Sequence, residues 1–261
     1  MIANLVDYDW PLAMGDGTRT SLRDQLAVME RLSLFTHGQV HAMVPFDPMR
    51  QVAMAAGKLP TNGKGSQLSF EEIQQAVLTR GFIGVKLFPP MGFKPADNAK
   101  CDPSMWDRTW LPSWMKESVS VNGVSKSFGA WMDDKLNELF TWAAANEVPI
   151  TSHTDASEGP STDFDQFAIA CSWQQVLTDH KKLRINFAHT ASLTDDLIGY
   201  SNPSLPPPYP PVAAKVLGYM CGEDTVDSFA YGDLSYASGA MANPDELQPL
   251  LKSIFSGAIA A

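Results

Sequence analysis

Apolar positions along the chain fall into short runs that alternate between two periods. Residues 2–6 form an apolar run ending at Asp7-Tyr8-Asp9-Trp10-Pro11, which predicts a strand that passes into a loop. Leu22, Leu26, Met29 and Leu32 then recur at three- and four-residue spacing behind Thr20 and Ser21, either of which can cap a helix. A strand over 40–46 closes at Asp47-Pro48, and Ser69-Phe70-Glu71-Glu72 opens a helix containing Ile73, Ala76 and Val77. Ile83, Val85 and Leu87 alternate with Gly84, Lys86 and Phe88, the period of a strand, and the run must stop where Pro89 and Pro90 cannot donate to a ladder. A helix over 131–146, with Met132, Leu136, Leu139, Phe140 and Ala143 toward the core, precedes a strand over 148–152. Farther on, a helix around 165–177 leads to a strand over 183–189, in which Ile185, Phe187 and His189 share parity. The proline-rich 202–211 stretch starts a helix near Val212, a strand over 229–236 carries Asp233, and Asn243-Pro244-Asp245-Glu246 opens a last helix.

Six strands alternating with six helices predict an α/β fold with a parallel sheet and right-handed crossovers, either open or closed into a barrel. No linker divides residues 1–261, so a single domain is expected. The stretch after Pro90 holds Met91, Phe93, Trp106, Trp110, Trp114 and Met115 without a clear period, and is expected to act as a lid or partner-contact segment.

Composition narrows the function classes. A formal charge of −10 and a pI near 4.8, with no local basic patch, disfavour a nucleic-acid partner. No apolar run is long enough to cross a membrane. Cys101, Cys171 and Cys221 are widely spaced and odd in number, which fits a reducing cytoplasm better than a disulfide framework. GxGxxG after the first strand, a Walker-type loop and a GxSxG elbow are all missing, and Asn62-Gly-Lys-Gly-Ser66 is expected to be a turn.

The candidate chemistry lies at strand ends. Lys86, His153 and His189 sit at or just past the ends of successive predicted strands, so a parallel sheet brings them to one edge. The bland explanation of Lys86 is a lysine snorkelling from an edge strand. Neutral imidazoles placed this way ligate zinc or a similar divalent ion, which lowers the pKa of bound water toward about 7. Asp155 and Asp233 are placed to orient a histidine or accept a proton. His37 and His41 are expected at the surface, and His180, beside Lys181 and Lys182, is expected to be a helix-end cation.

Gly84-Val-Lys-Leu-Phe-Pro-Pro-Met-Gly-Phe93, Pro149-Ile-Thr-Ser-His-Thr154, Arg184-Ile-Asn-Phe-Ala-His189 and Tyr231-Gly-Asp-Leu-Ser235 resemble strands four to seven of the metal-dependent amidohydrolase superfamily, in its amidohydrolase-2 branch. Val40-His-Ala-Met-Val-Pro-Phe-Asp-Pro48 resembles strand three and Asn4-Leu-Val-Asp-Tyr-Asp9 strand two. The resemblance implies a (β/α)8 barrel with metal and substrate at the carboxyl ends of the strands. By it, His153 is a metal ligand, His189 is a second ligand or the catalytic acid/base, and Lys86 is a catalytic lysine that bridges metals when carboxylated or contacts substrate. Phe88, Met91 and Asp233 become substrate contacts. The family's His-x-His of strand one is missing, as is an eighth strand, so the expected architecture is an incomplete TIM-barrel-like fold with six recognisable β/α units. In a shifted frame, Asp7-Tyr8-Asp9 replaces His-x-His and Asp233 is the catalytic aspartate. That frame is disfavoured because Thr20-Ser-Leu-Arg-Asp-Gln25, the helix after it and Pro45-Phe-Asp-Pro48 resemble the family's sequence beyond strand two.

The expected function is hydrolysis or decarboxylation of a small organic substrate by metal-activated water, with zinc the expected ion. The alternative is a non-catalytic barrel-like protein that uses the same cleft for binding or assembly. An unclosed barrel would also leave strand edges and side chains such as Leu5 and Leu234 uncovered, which predicts one of three outcomes: a distorted barrel that closes on itself, a homo-oligomer that supplies the missing strands, or a poorly soluble product.

Overall fold

The computed structural model describes residues 1–7, 20–59, 68–154, 159–168, 170–189 and 229–232. The six predicted strands are all present in one parallel sheet: β1 (Ile2–Asn4), β2 (His41–Pro45), β3 (Gly84–Leu87), β6 (Ile150–Ser152), β7 (Arg184–Phe187) and β8 (Phe229–Gly232). Between β3 and β6 the chain adds a separate antiparallel hairpin of β4 (Ser118–Val121) and β5 (Val124–Ser127). The spatial order of the main sheet follows the chain, β1-β2-β3-β6-β7-β8, with no reversal. Parallel neighbours joined by crossovers of one hand stack their helices on one side of the sheet, as in a barrel wall or an open, singly wound sheet. Among the described residues β1 and β8 are the two ends and do not pair with each other, so these strands form an α/β sheet rather than a closed barrel.

Period 2 divides the sheet into two faces. Val44, Val85, Leu87, Ile150, Ile185 and Phe187 occupy one face and are fully buried in the hydrophobic core. Phe46 meets Phe70 of α3 (Phe70–Thr79) edge-on at 5.8 Å, and Phe70 in turn meets Trp142 of α4 (Phe128–Ala145), so this is the face the helices cover. The opposite face carries Pro45, Lys86, Thr151 and Asn186, which lie side by side in register across β2, β3, β6 and β7. Gly84 is required where β3 approaches its neighbour, because a Cβ there would stand 2.4 Å from the Pro149 carbonyl oxygen.

The helices show why local sequence suffices for most of them. Ser69 and Glu72 form a reciprocal capping box at the start of α3. Ser127 caps α4, which buries Met132, Leu136, Leu139, Phe140 and Ala143 as the spacing predicts, and Glu147 in the left-handed region (φ 56°) turns the chain toward β6. Ser21 caps α1 (Leu22–Phe35), and Leu22 and Leu26 are buried, but Leu32 is 41% exposed and Leu34 and Phe35 more so. Met29 packs partly against the core, so three of the four expected residues face it and Leu32 does not. β1 is a three-residue edge strand, and among the described residues nothing covers the last turns of α1. Leu5 is half-buried against the core, and Leu234 lies outside the described residues.

Two expectations for the later chain need correction. The segment after Pro90 uses its aromatic residues internally: Phe93, Trp106 and Met115 are buried, and Trp106 and Trp114 both pack edge-on against Phe128. It also holds the β4–β5 hairpin, turned by Asn122 and Gly123 at φ 49° and 80°. These side chains belong to the core, so the segment is a packed layer rather than a lid held ready for a partner. The helix expected around 165–177 is instead two stretches of 3₁₀ helix, Thr162–Ala168 and Ala170–Trp173, before the short α5 (Gln174–Asp179). His180 does end that helix, but burial against Phe140 lowers its pKa, which disfavours the expected cation. No described helix is long and apolar enough to cross a membrane.

Candidate functional site

Each candidate side chain is delivered by the end of a strand. Lys86 lies inside β3, third in the six-strand order and flanked by β2 and β6, and is 5% exposed. A snorkelling edge lysine is therefore excluded. Its stem emerges on the face away from the helices, in the same row as Thr151. The ladder continues beyond the strands, with the Phe46 N–H donating to the Lys86 carbonyl and the His153 N–H donating to the Leu87 carbonyl, both at 3.0 Å. Asp47, Phe88 and His153, two residues on from the Pro45-Lys86-Thr151 row, thus come to the carboxyl end of the sheet on the Lys86 face.

His189 arrives there by a different route. Ile185 and Phe187 point into the helix-covered core, and strict alternation would send His189 after them. The backbone of His189 is instead in the left-handed region at φ 62°. That conformation is uncommon for a residue with a Cβ, and it swings the imidazole across the sheet end toward β6. His189 Nε2 lies 3.1 Å from His153 Nδ1, with the rings nearly perpendicular. A hydrogen bond from Thr154 Oγ1 to the Ala188 carbonyl, at 2.5 Å, ties the two strand ends together beneath the pair. Phe88 packs its ring on His153 with centroids 4.6 Å apart.

On the other side of Phe88 is a small cleft, with room for about one water, lined by Val6, Asp7, Asp47, Lys86, Phe88 and Met91, among others. Lys86, Phe88 and Met91 of the predicted site thus share one cavity, and Phe88 joins it to the histidine pair. Asp233 and Asp155 lie outside the described residues.

The cleft contains charge that sequence reasoning did not assign. Asp7, just past β1, takes two hydrogen bonds from Arg50 of α2 (Pro48–Ala55), from Nε at 2.5 Å and Nη2 at 2.8 Å, and both residues are buried. This bidentate geometry engages both carboxylate oxygens with a guanidinium, which does not suit the metal-ligand role of the shifted frame. Asp47 caps α2, its Oδ1 accepting from the Met49 and Arg50 backbone N–H groups. Its Oδ2 is buried with no hydrogen-bond partner among the described residues. Burial and the nearby Asp7 carboxylate push the Asp47 carboxyl up to about 7, against the lowering effects of Arg50 and the two backbone donors.

No family model, curated protein or solved structure matches this chain.

The histidine pair bears on the expected metal. Two imidazole nitrogens bound to one tetrahedral ion at the usual zinc distances stand about 3.3 Å apart, close to the separation seen here. The separation matches that of two ligands on one ion, but the contact is a hydrogen bond with one ring N–H aimed at the other nitrogen, so both rings must turn before their lone pairs converge on an ion. Among the described residues no group of three histidine, cysteine, aspartate or glutamate side chains is placed to hold a metal.

Arg50 and Asp47 left only partial traces in the sequence. Asp47-Pro48 is legible as a strand end and helix cap, but nothing local says which way the second carboxylate oxygen faces. Arg50 pairs with a carboxylate 43 residues away, a relation that only the adjacency of β1 and β2 creates.

Proposed function

We propose that this chain is a metal-dependent enzyme of amidohydrolase type, acting on a small organic molecule at the carboxyl ends of its strands, with a barrel-like arrangement of the complete sheet. The observation that supports it is the meeting of His153 and His189 at 3.1 Å over the ends of β6 and β7, on the sheet face that also carries Lys86. The left-handed backbone at His189 accompanies the approach of its ring to His153.

In this reading His153 and His189 hold a divalent ion, zinc being the ion whose geometry the pair best matches. When bound, that ion supplies Lewis acidity and a water ionisable near neutral pH. The chain's residues do the rest. Thr154 fixes the relative position of the two strand ends, Phe88 walls one side of the imidazoles with an apolar surface, and Lys86 places positive charge in the adjoining cleft. Phe88 and Met91 are the apolar contacts for substrate; if His153 alone holds the ion, the half-buried His189 is placed instead as the acid/base.

Metal analysis of protein purified without chelators tests the reading. The expected result is close to one equivalent of zinc, iron or manganese, reduced at least about tenfold in His153→Ala and released on acidification toward about pH 5, because ligation needs neutral imidazole. Persistent absence of metal after supplementation overturns it and supports the non-catalytic binder.

A further inference from the structure

Exposed apolar side chains gather on the first β/α unit. Among the described residues eight large hydrophobic side chains are open to solvent, and six of them, Met1, Ile2, Val28, Leu32, Leu34 and Phe35, lie on or beside β1 and on α1. Three form a stripe. By helical spacing Val28, Leu32 and Phe35 share one flank of α1, turned away from the Leu22, Leu26 and Met29 face that packs on the core, and Val28 is 52% and Phe35 81% exposed. The opposite flank belongs to α3, where Arg23 pairs with Glu72 and Glu30 with Arg80. The stripe therefore faces outward past β1, the edge strand of the sheet. A contiguous apolar strip beside a sheet edge is a contact surface.

The charges that border the stripe select its occupant. Asp24 stands one helical turn before Val28 and Arg31 one turn after it, and both are exposed. The Asp24 carboxylate accepts from the Ser21 hydroxyl of its own helix start, and Arg31 forms no ion pair among the described residues. Charge thus reverses sign about Val28, which makes the stripe complementary to itself. A two-fold axis at Val28 that lays a second α1 antiparallel on the first sets Asp24 of each protomer against Arg31 of the other, around an apolar centre of Val28 and Leu32. A parallel arrangement would bring like charges together instead.

We propose that this flank of α1 is the interface of a homodimer, in which the α1 helices of two copies pack antiparallel about Val28. None of these residues belongs to the site at the carboxyl ends of the strands, so dimerisation and metal binding are tested apart.

Sedimentation equilibrium of the full chain, between about 1 and 100 µM, reads the association directly. The native chain is expected to dimerise within that range. Leu32→Glu, which puts charge into the apolar centre, is expected to weaken the dimer at least about hundredfold. Arg31→Glu and Asp24→Lys each set like charges opposite one another twice by symmetry, and each is expected to weaken it at least about tenfold. All three positions are exposed, so the monomer keeps its fold, which far-UV circular dichroism checks. The decisive measurement mixes the two charge variants. Their heterodimer restores both opposite-charge pairs, and the mixture is expected to associate within about threefold of the native affinity. A native chain that stays monomeric at about 100 µM overturns the proposal and leaves the stripe to other residues of this chain or to a different protein. It is equally overturned if Leu32→Glu dimerises like the native chain, or if the mixture associates no better than either variant alone, because the interface then lies elsewhere. Should Asp24→Lys lose its helix start, Leu32→Glu and Arg31→Glu still decide the location.

Discussion

The two faces of the parallel sheet contrast sharply although they share the same backbone. On the helix-covered face Val85, Leu87, Ile150, Ile185 and Phe187 are all fully buried and make one apolar layer. On the other face, and at its carboxyl end, Asp47, Lys86, Thr151 and His153 are buried too, together with the Asp7–Arg50 pair. Burial stabilises the first group by removing hydrocarbon from water, roughly 1.5–3 kcal/mol for each large side chain. For the second group burial is a cost, offset only where charges are paired and hydrogen-bonded. One face therefore supplies the stability that the other consumes, a pattern expected where a fold supports a site.

The comparison breaks most visibly at Arg50. Arg50→Met leaves the buried Asp7 carboxylate uncompensated and is expected to cost about 3–5 kcal/mol in urea unfolding, while Arg50→Met combined with Asp7→Leu regains most of it. If the single variant is as stable as the native chain, the pair is not buried as a unit and the polar face carries no such cost.

On the apolar face, Leu87→Ala is expected to cost about 2–5 kcal/mol by the same measurement, at every pH. Its position next to Lys86 makes it the direct control for the alternation of faces.

Asp47→Asn carries the smallest effect and the opposite sign. The folded pKa of Asp47 is raised to about 7, so between about pH 4 and 7 the folded chain retains a proton that the unfolded chain has released. Native stability therefore falls as pH rises through that window and levels off above it. Asp47→Asn keeps a good capping residue and removes this loss. It is expected to be nearly neutral at about pH 4 and stabilising by at least about 1 kcal/mol at about pH 8, read from urea midpoints at the two pH values. Equal effects at both pH values would show that Asp47 ionises as an ordinary surface carboxylate.

Much of the frame was determined by local sequence. The six strands, the caps at Ser21, Ser69 and Ser127, and five of the seven buried residues of α4 follow from period and capping chemistry, because those signals act within one or two helical turns or one strand. The hairpin at Asn122-Gly123 was legible by the same rules, flanked by alternating Val119, Val121 and Val124, and was hidden only by the tryptophans around it. Strand parity also placed Lys86 and His153 on a common face. Parity alone misdirects His189, whose left-handed backbone reverses the side expected from Ile185 and Phe187. Tertiary structure decided the remainder. It paired Arg50 with Asp7, buried Asp47 Oδ2, and set two imidazoles within hydrogen-bond distance, 36 residues apart in the chain. Hydrophobic period is a property of neighbours along the backbone. Charge pairing, desolvation and the meeting of strand ends depend on which strands lie side by side, and those relations exist only once the sheet has formed.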